Sequence, residues 1–229
     1  MGFGRFIHHI GTLLLFVSFV LLIVVDITAP VINNLSMMKV DLGSNAAGAD
    51  QVTFGTFGYC IRGIRDSDQC TRSRIGYDPA NLMNRLDDSE FGDASASTAK
   101  GLTRVMVLHP VATILCFIAC LLCIFTGTVG AFLASLVSVI TFIVTLIAMA
   151  CDFVTFGIIK RDVNKNGVSR ARWGPGIWLI LASAIFTLLG AAVVFLTCCC
   201  ARRKKKSDVQ KETGTDTAAT GKRRLRRFW

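Results

Sequence analysis

The 229 residues are 52% hydrophobic and only 17% charged, with a formal net charge of +10 and a mean hydropathy of +0.56. Soluble domains carry about 25% charged residues, so this balance excludes an ordinary globular enzyme. The 20 Gly show no period and there are only 4 Pro, which excludes collagen-like chains. The apolar residues gather in blocks of about twenty or more, as membrane proteins require.

In chain order, residues 1–5 form a short head, and the first predicted span runs from Phe6 to Ile27. Its apolar core, Ile10 to Val25, has no A-x-A cleavage site before Asp26 and Pro30, so it reads as a retained span and not a signal peptide. A long connection follows, Thr28 to Thr103. The second span is expected over Arg104–Phe125, the third over Val129–Phe156 and the fourth over Gly174–Cys200. Only Thr126-Gly127-Thr128 joins the second to the third, and residues 157–173 join the third to the fourth. A tail of 29 residues, 201–229, ends the chain.

Eleven Lys and Arg in the tail, with Arg5, outnumber the five in the last connection: Lys160, Arg161, Lys165, Arg170 and Arg172. The side richer in short-loop positive charge is the cytosolic one, and long loops hardly count. Both termini are therefore expected in the cytosol. Two of the nine cysteines, Cys60 and Cys70, fall in the long outer connection. In an oxidising compartment such a pair reads as a disulfide. The alternative is a pair of free or metal-binding thiols, which the nine-residue spacer without a nearby His disfavours.

Within the long connection, Val52 to Cys60 alternates β-branched or aromatic residues with small ones, which predicts a strand. Arg62 to Gln69 predicts a turn and Cys70 to Tyr77 a returning strand, so the disulfide would staple a hairpin that is marginal alone. Asp78 to Ala99 predicts a short helix near Ala80–Leu86 and then a flexible stretch. Asn34-Leu35-Ser36 is a glycosylation sequon close to the first span.

Phe57-Gly58-Tyr59-Cys60, then Cys70, then Ile75-Gly76-Tyr77 resembles the signature of the fungal PalI family, claudin-like tetraspan proteins of the plasma membrane. The resemblance covers roughly residues 6–200. It implies a membrane all-α fold: a four-transmembrane-helix bundle with a small disulfide-stapled antiparallel β element in the first extracellular loop. It also implies two kinds of work. Some members assist a multi-span sensor in ambient-pH signalling. Others are eisosome-associated, populating furrow-like membrane domains and affecting cell-wall and actin organisation. The tail here is short and basic, unlike the long Pro/Ser-rich region associated with the pH-signalling group, so the second kind is the leading expectation.

Several residues suggest chemistry. Cys198, Cys199 and Cys200 precede Arg202, Arg203, Lys204, Lys205 and Lys206. Juxtamembrane cysteines beside a basic cluster are a common S-palmitoylation context, and the cluster would lie on anionic inner-leaflet lipids. Asp26 and Asp152 fall at span ends, where solvation or a pair with Arg104 is expected. Cys116, Cys120 and Cys123 share one helix face and read as packing residues. Gly127, Gly130, Ala134 and Ser138, with Ser183, Thr187 and Ala191, permit close helix approach, either within a bundle or between copies.

No HExxH, P-loop, dinucleotide fingerprint or nucleophile–base pattern is present. Neither a metal, a cofactor, a small-molecule substrate nor catalysis is expected, and membrane tethering argues against nucleic acid as a partner. The sequence thus predicts a non-enzymatic, multi-pass plasma-membrane protein. It organises lateral domains or assists another membrane protein, with membrane lipids and other membrane proteins or itself as partners. The alternatives are an accessory role in ambient-pH signalling and a transporter or channel-like component.

Overall fold

A computed structural model describes residues 2–32, 34–43, 48–64, 67–87, 91–125, 128–166 and 168–199. Four helical segments among them are long and apolar enough to cross a membrane. Helix α1 covers Gly2–Asp26, α4 Leu108–Phe125, α5 Thr128–Asn166 and α6 Pro175–Cys199. Two further helices, α2 (Pro79–Asp87) and α3 (Asp93–Val105), lie between α1 and α4 in the chain. Pro110 and Pro175 sit in first turns, where a missing N–H costs nothing. Pro110 also has no N–H to give the Met106 carbonyl. Continuous helical bonding fails there, and α3 and α4 separate at Met106–Val107.

At one end of the bundle sits an antiparallel sheet of strands β1 (Met38–Asp41), β2 (Gln51–Phe54), β3 (Tyr59–Ile64), β4 (Ser67–Cys70) and β5 (Arg170–Trp173). Its order is β4-β3-β2-β1-β5. Met38 stands opposite both Phe54 and Trp173, and Val40 opposite both Val52 and Ala171. Because strand side chains alternate, Met38, Val40, Val52, Phe54 and Ala171 all turn to the buried face. They meet Leu22 and Val25 of α1, Phe156, Ile159 and Val163 of α5, and Ile177 and Ile180 of α6 in a single core. The cap and the helices are therefore one packed body and not a domain on a tether. Large side chains such as Leu13, Ile114, Leu136 and Leu196 face outward, as a hydrocarbon solvent allows.

The structure departs from the expected connections in four places. The predicted strand 52–60 is two strands, β2 and β3, paired to each other, since Gly55 to Gly58 makes the bend between them. The return strand is β4, and residues 71–77 form a loop. The stretch expected to be flexible contains α3, whose Ala99 and Thr103 are buried where it packs along α5. The last connection is mostly α5 continuing to Asn166, followed by β5. Asn164 fastens that join: its side chain accepts a hydrogen bond from the Ala171 N–H at 2.7 Å and donates to the Ala171 carbonyl at 3.3 Å.

Candidate functional site

The motif Phe57-Gly58-Tyr59-Cys60…Cys70…Ile75-Gly76-Tyr77 gathers at the edge of the sheet. Cys60 and Cys70 stand opposite each other on β3 and β4 and are joined by a disulfide, with their Cα atoms 4.0 Å apart. Gly58 is there because a Cβ would meet Thr71 Oγ1 at 2.7 Å and Pro30 Cδ at 3.1 Å. Gly76 has φ +75°, which side chains disfavour, and a Cβ would lie 2.7 Å from Cγ of Arg104. The rings of Phe54, Tyr59 and Tyr77 form a cluster with centroids 6.1–6.4 Å apart.

The Tyr77 hydroxyl donates to the Gly55 carbonyl at 2.8 Å, and the Tyr77 carbonyl accepts from Thr103 of α3 at 2.8 Å. Burial pushes the Tyr77 phenol well above its ordinary pKa, with the Asp152 carboxylate adding to the effect. It therefore acts as a neutral donor. Six motif residues thus build the cap. Phe57 and Ile75 do not: Phe57 is half-buried and Ile75 is 57% exposed.

Beneath the cap lies a polar cluster among three helices. His109 Nε2 of α4 is 3.0 Å from Asp152 Oδ2 of α5, and both side chains are fully buried. Neither His109 Nδ1 nor Asp152 Oδ1 has a hydrogen-bond partner among the described residues. Asp26, at the end of α1, accepts a hydrogen bond from Thr113 at 2.7 Å. Asp152 is thus matched with His109 and not with Arg104, which is exposed beside Gly76. The reason is the break at Met106–Val107: it puts Arg104 on the separate helix α3 and leaves His109 at the head of α4. The signal that finds this pair is a histidine one residue before a span-entry proline, facing an acid at the same depth in the next span.

The remaining candidates divide. Cys116, Cys120 and Cys123 are buried, and the Cys116 thiol donates to the Leu15 carbonyl at 3.3 Å. No group of three metal-ligating side chains occurs among the described residues. Ala134, Ser138, Ser183, Thr187 and Ala191 are buried inside the bundle. Ser18 of α1 hydrogen-bonds the Thr187 hydroxyl at 2.6 Å and donates to the Ser183 carbonyl at 3.0 Å. Of the tail cysteines, Cys198 is buried and Cys199 half-buried. Cys200 and Arg202–Lys206 lie outside the described residues.

Four apolar helices capped by a disulfide-stapled antiparallel sheet define a claudin-like tetraspan membrane protein. The SUR7/PalI family profile matches residues 7–190, and the chain belongs to that family. Among curated fungal proteins it is similar to the pH-response regulator protein palI/RIM9 of Emericella nidulans, 31% identical over 108 residues, or 47% of this chain and 17% of that one. It is 26% identical over 192 residues to the palI/RIM9 regulator of Pyricularia oryzae, covering 79% of this chain and 22% of the relative. With the pH-response regulator palI/RIM9 homolog 2 of Kluyveromyces lactis it shares 30% identity over 148 residues, 62% of this chain and 58% of that one. The matched region is thus about a fifth of the length of the first two relatives.

Proposed function

We propose that the protein is a non-enzymatic accessory of the plasma membrane, both termini cytosolic, whose stapled outer cap holds or positions another membrane protein in the ambient-pH response. The observation that carries this reading is the single core running from the sheet into α1, α5 and α6. Anything gripping the cap is mechanically joined to the spans. The naming of several relatives as pH-response regulators supports the choice of pathway. Burial of the small-residue stripes inside the bundle leaves them unavailable for pairing between copies, which favours assisting a partner over self-assembly.

A second reading, organisation of lateral membrane domains, draws on the tail. Cys199 and Cys200 beside Arg202–Lys206 combine acylation and anionic-lipid contact, which together would select lipid surroundings. Purification of the full chain in mild detergent from cells shifted to alkaline medium separates the two. Recovery of a multi-span pH receptor, with loss of the alkaline response on deletion, supports the first. Recovery of domain-resident proteins with an intact alkaline response supports the second.

A further inference from the structure

The two motif residues that do not build the cap share one feature. Phe57 and Ile75 line a groove of about 370 Å³ together with Ser73, Arg74, Val107 and Pro110, within the range of small-molecule sites. Pro110, Val111 and Ile114 lie on one face of α4, and Val107 stands in the turn just before it. Val107, Val111 and Ile114 are exposed apolar residues, which in a membrane span face lipid. The groove is the upper end of that lipid-facing strip, roofed by the loop of residues 71–77.

Its polar end carries Arg74, an exposed cation. Arg72 is two residues away, and Arg104 stands against Gly76 on the same loop; both are exposed. No described carboxylate pairs with any of these three arginines. A groove open to hydrocarbon at one end, with Arg74 at the other and Arg72 and Arg104 nearby, none of them paired with a described carboxylate, matches one kind of occupant. We propose that this groove seats a phosphate-bearing lipid of the leaflet on the sheet side. One acyl chain lies along Val107–Ile114 beneath Ile75 and Phe57, and the phosphate accepts charge-assisted hydrogen bonds from Arg74, with Arg72 and Arg104 contributing field. The bound lipid fills the space between cap loop and α4.

The test uses the full chain in nanodiscs of a phosphate-free diacyl betaine lipid containing a minor fraction of a photoactivatable probe. One probe is phosphatidylserine with a diazirine on an acyl chain; the other is a diacylglycerol with the same chains and no phosphate. The phosphatidylserine probe should label Phe57, Ile75 or Val107 well above the diacylglycerol probe. Both should label exposed Leu133 and Leu136 of α5 alike, as bulk-lipid controls. The double substitution Arg72→Gln/Arg74→Gln should cut groove labelling by about tenfold without altering labelling at Leu133. Val107→Trp should abolish it by filling the groove. Maleimide-inert Cys60 and Cys70 in each variant report that the cap is intact. Equal groove labelling by both probes, or labelling unchanged by the arginine substitutions, overturns the proposal and leaves bulk lipid wetting an apolar surface.

Discussion

His109 and Asp152 meet 3.0 Å apart, both fully buried, at the level where the cap joins the spans. A buried titratable pair in such a place is weak evidence for stability, because desolvation offsets most of any attraction. Its one-sided loss is a different matter, since the survivor is left buried without a partner. His109→Leu or Asp152→Leu alone should destabilise the purified protein by about 3–5 kcal/mol. The double variant His109→Leu/Asp152→Leu should recover most of that loss. Thermal unfolding in detergent, followed through tryptophan fluorescence, gives the comparison. Additive losses in the double variant would show that the two groups do not depend on each other.

The Cys60–Cys70 disulfide closes a short loop at the edge of the sheet, where β4 has only one neighbour. A bridge over such a loop stabilises by about 2–4 kcal/mol. Cys60→Ser should therefore accumulate in the secretory pathway while the parent reaches the surface, as read by glycosidase-independent fractionation or imaging. In the parent, neither thiol should react with a membrane-impermeant maleimide until a reductant is added.

Two substitutions probe the loop over the aromatic cluster. Tyr77→Phe keeps the ring and strands the buried Gly55 carbonyl, a loss of about 1–3 kcal/mol. Gly76→Ala forces a side chain to φ +75° and against the Arg104 stem, at about 1–3 kcal/mol of backbone strain. Both should lower the unfolding midpoint while leaving the Cys60–Cys70 bond formed. Free thiols in either variant would mean that the loop, and not the strand pairing, aligns the cysteines.

The tail carries a separate expectation. Acylation of Cys198, Cys199 or Cys200 is not needed to anchor a chain with four spans, so the triple Ser variant should insert normally and lose any punctate surface pattern. Replacing Arg202–Lys206 by Gln should weaken the same pattern, because each basic residue near an anionic leaflet contributes about 1 kcal/mol. A hydroxylamine-sensitive acyl-exchange assay on the parent, alongside imaging, checks both. Absence of acylation with unchanged clustering would make these cysteines incidental.

The helices that cross the membrane were legible because length and hydropathy alone define them. The motif was legible because glycine and cysteine answer to local geometry. Helix α3 was not, since Asp93–Val105 is small and polar, and only burial of Ala99 and Thr103 against α5 makes it helical. The extension of α5 did leave a trace: Ile159 and Val163, four apart, are both buried, a helical spacing hidden among Lys160, Arg161 and Asp162. Strand β5 is four residues, Arg-Ala-Arg-Trp, whose pairing with β1 depends on contacts about 130 residues distant along the chain. The pairing of His109 with Asp152 is legible only in part: His109-Pro110 marks a span entry, but the partner is fixed by how two helices pack.

The pairing of β1 with β5 also imposes an order on biogenesis. Met38–Asp41 emerges early, yet one of its two edges stays open until residues 170–173 have been made. By then three of the four spans have been synthesised. An open edge invites wrong partners, so the nascent chain passes through a long interval in which its cap is unfinished and needs shelter. Ribosome stalling anywhere before Arg170 would leave an inserted protein that no amount of waiting can complete.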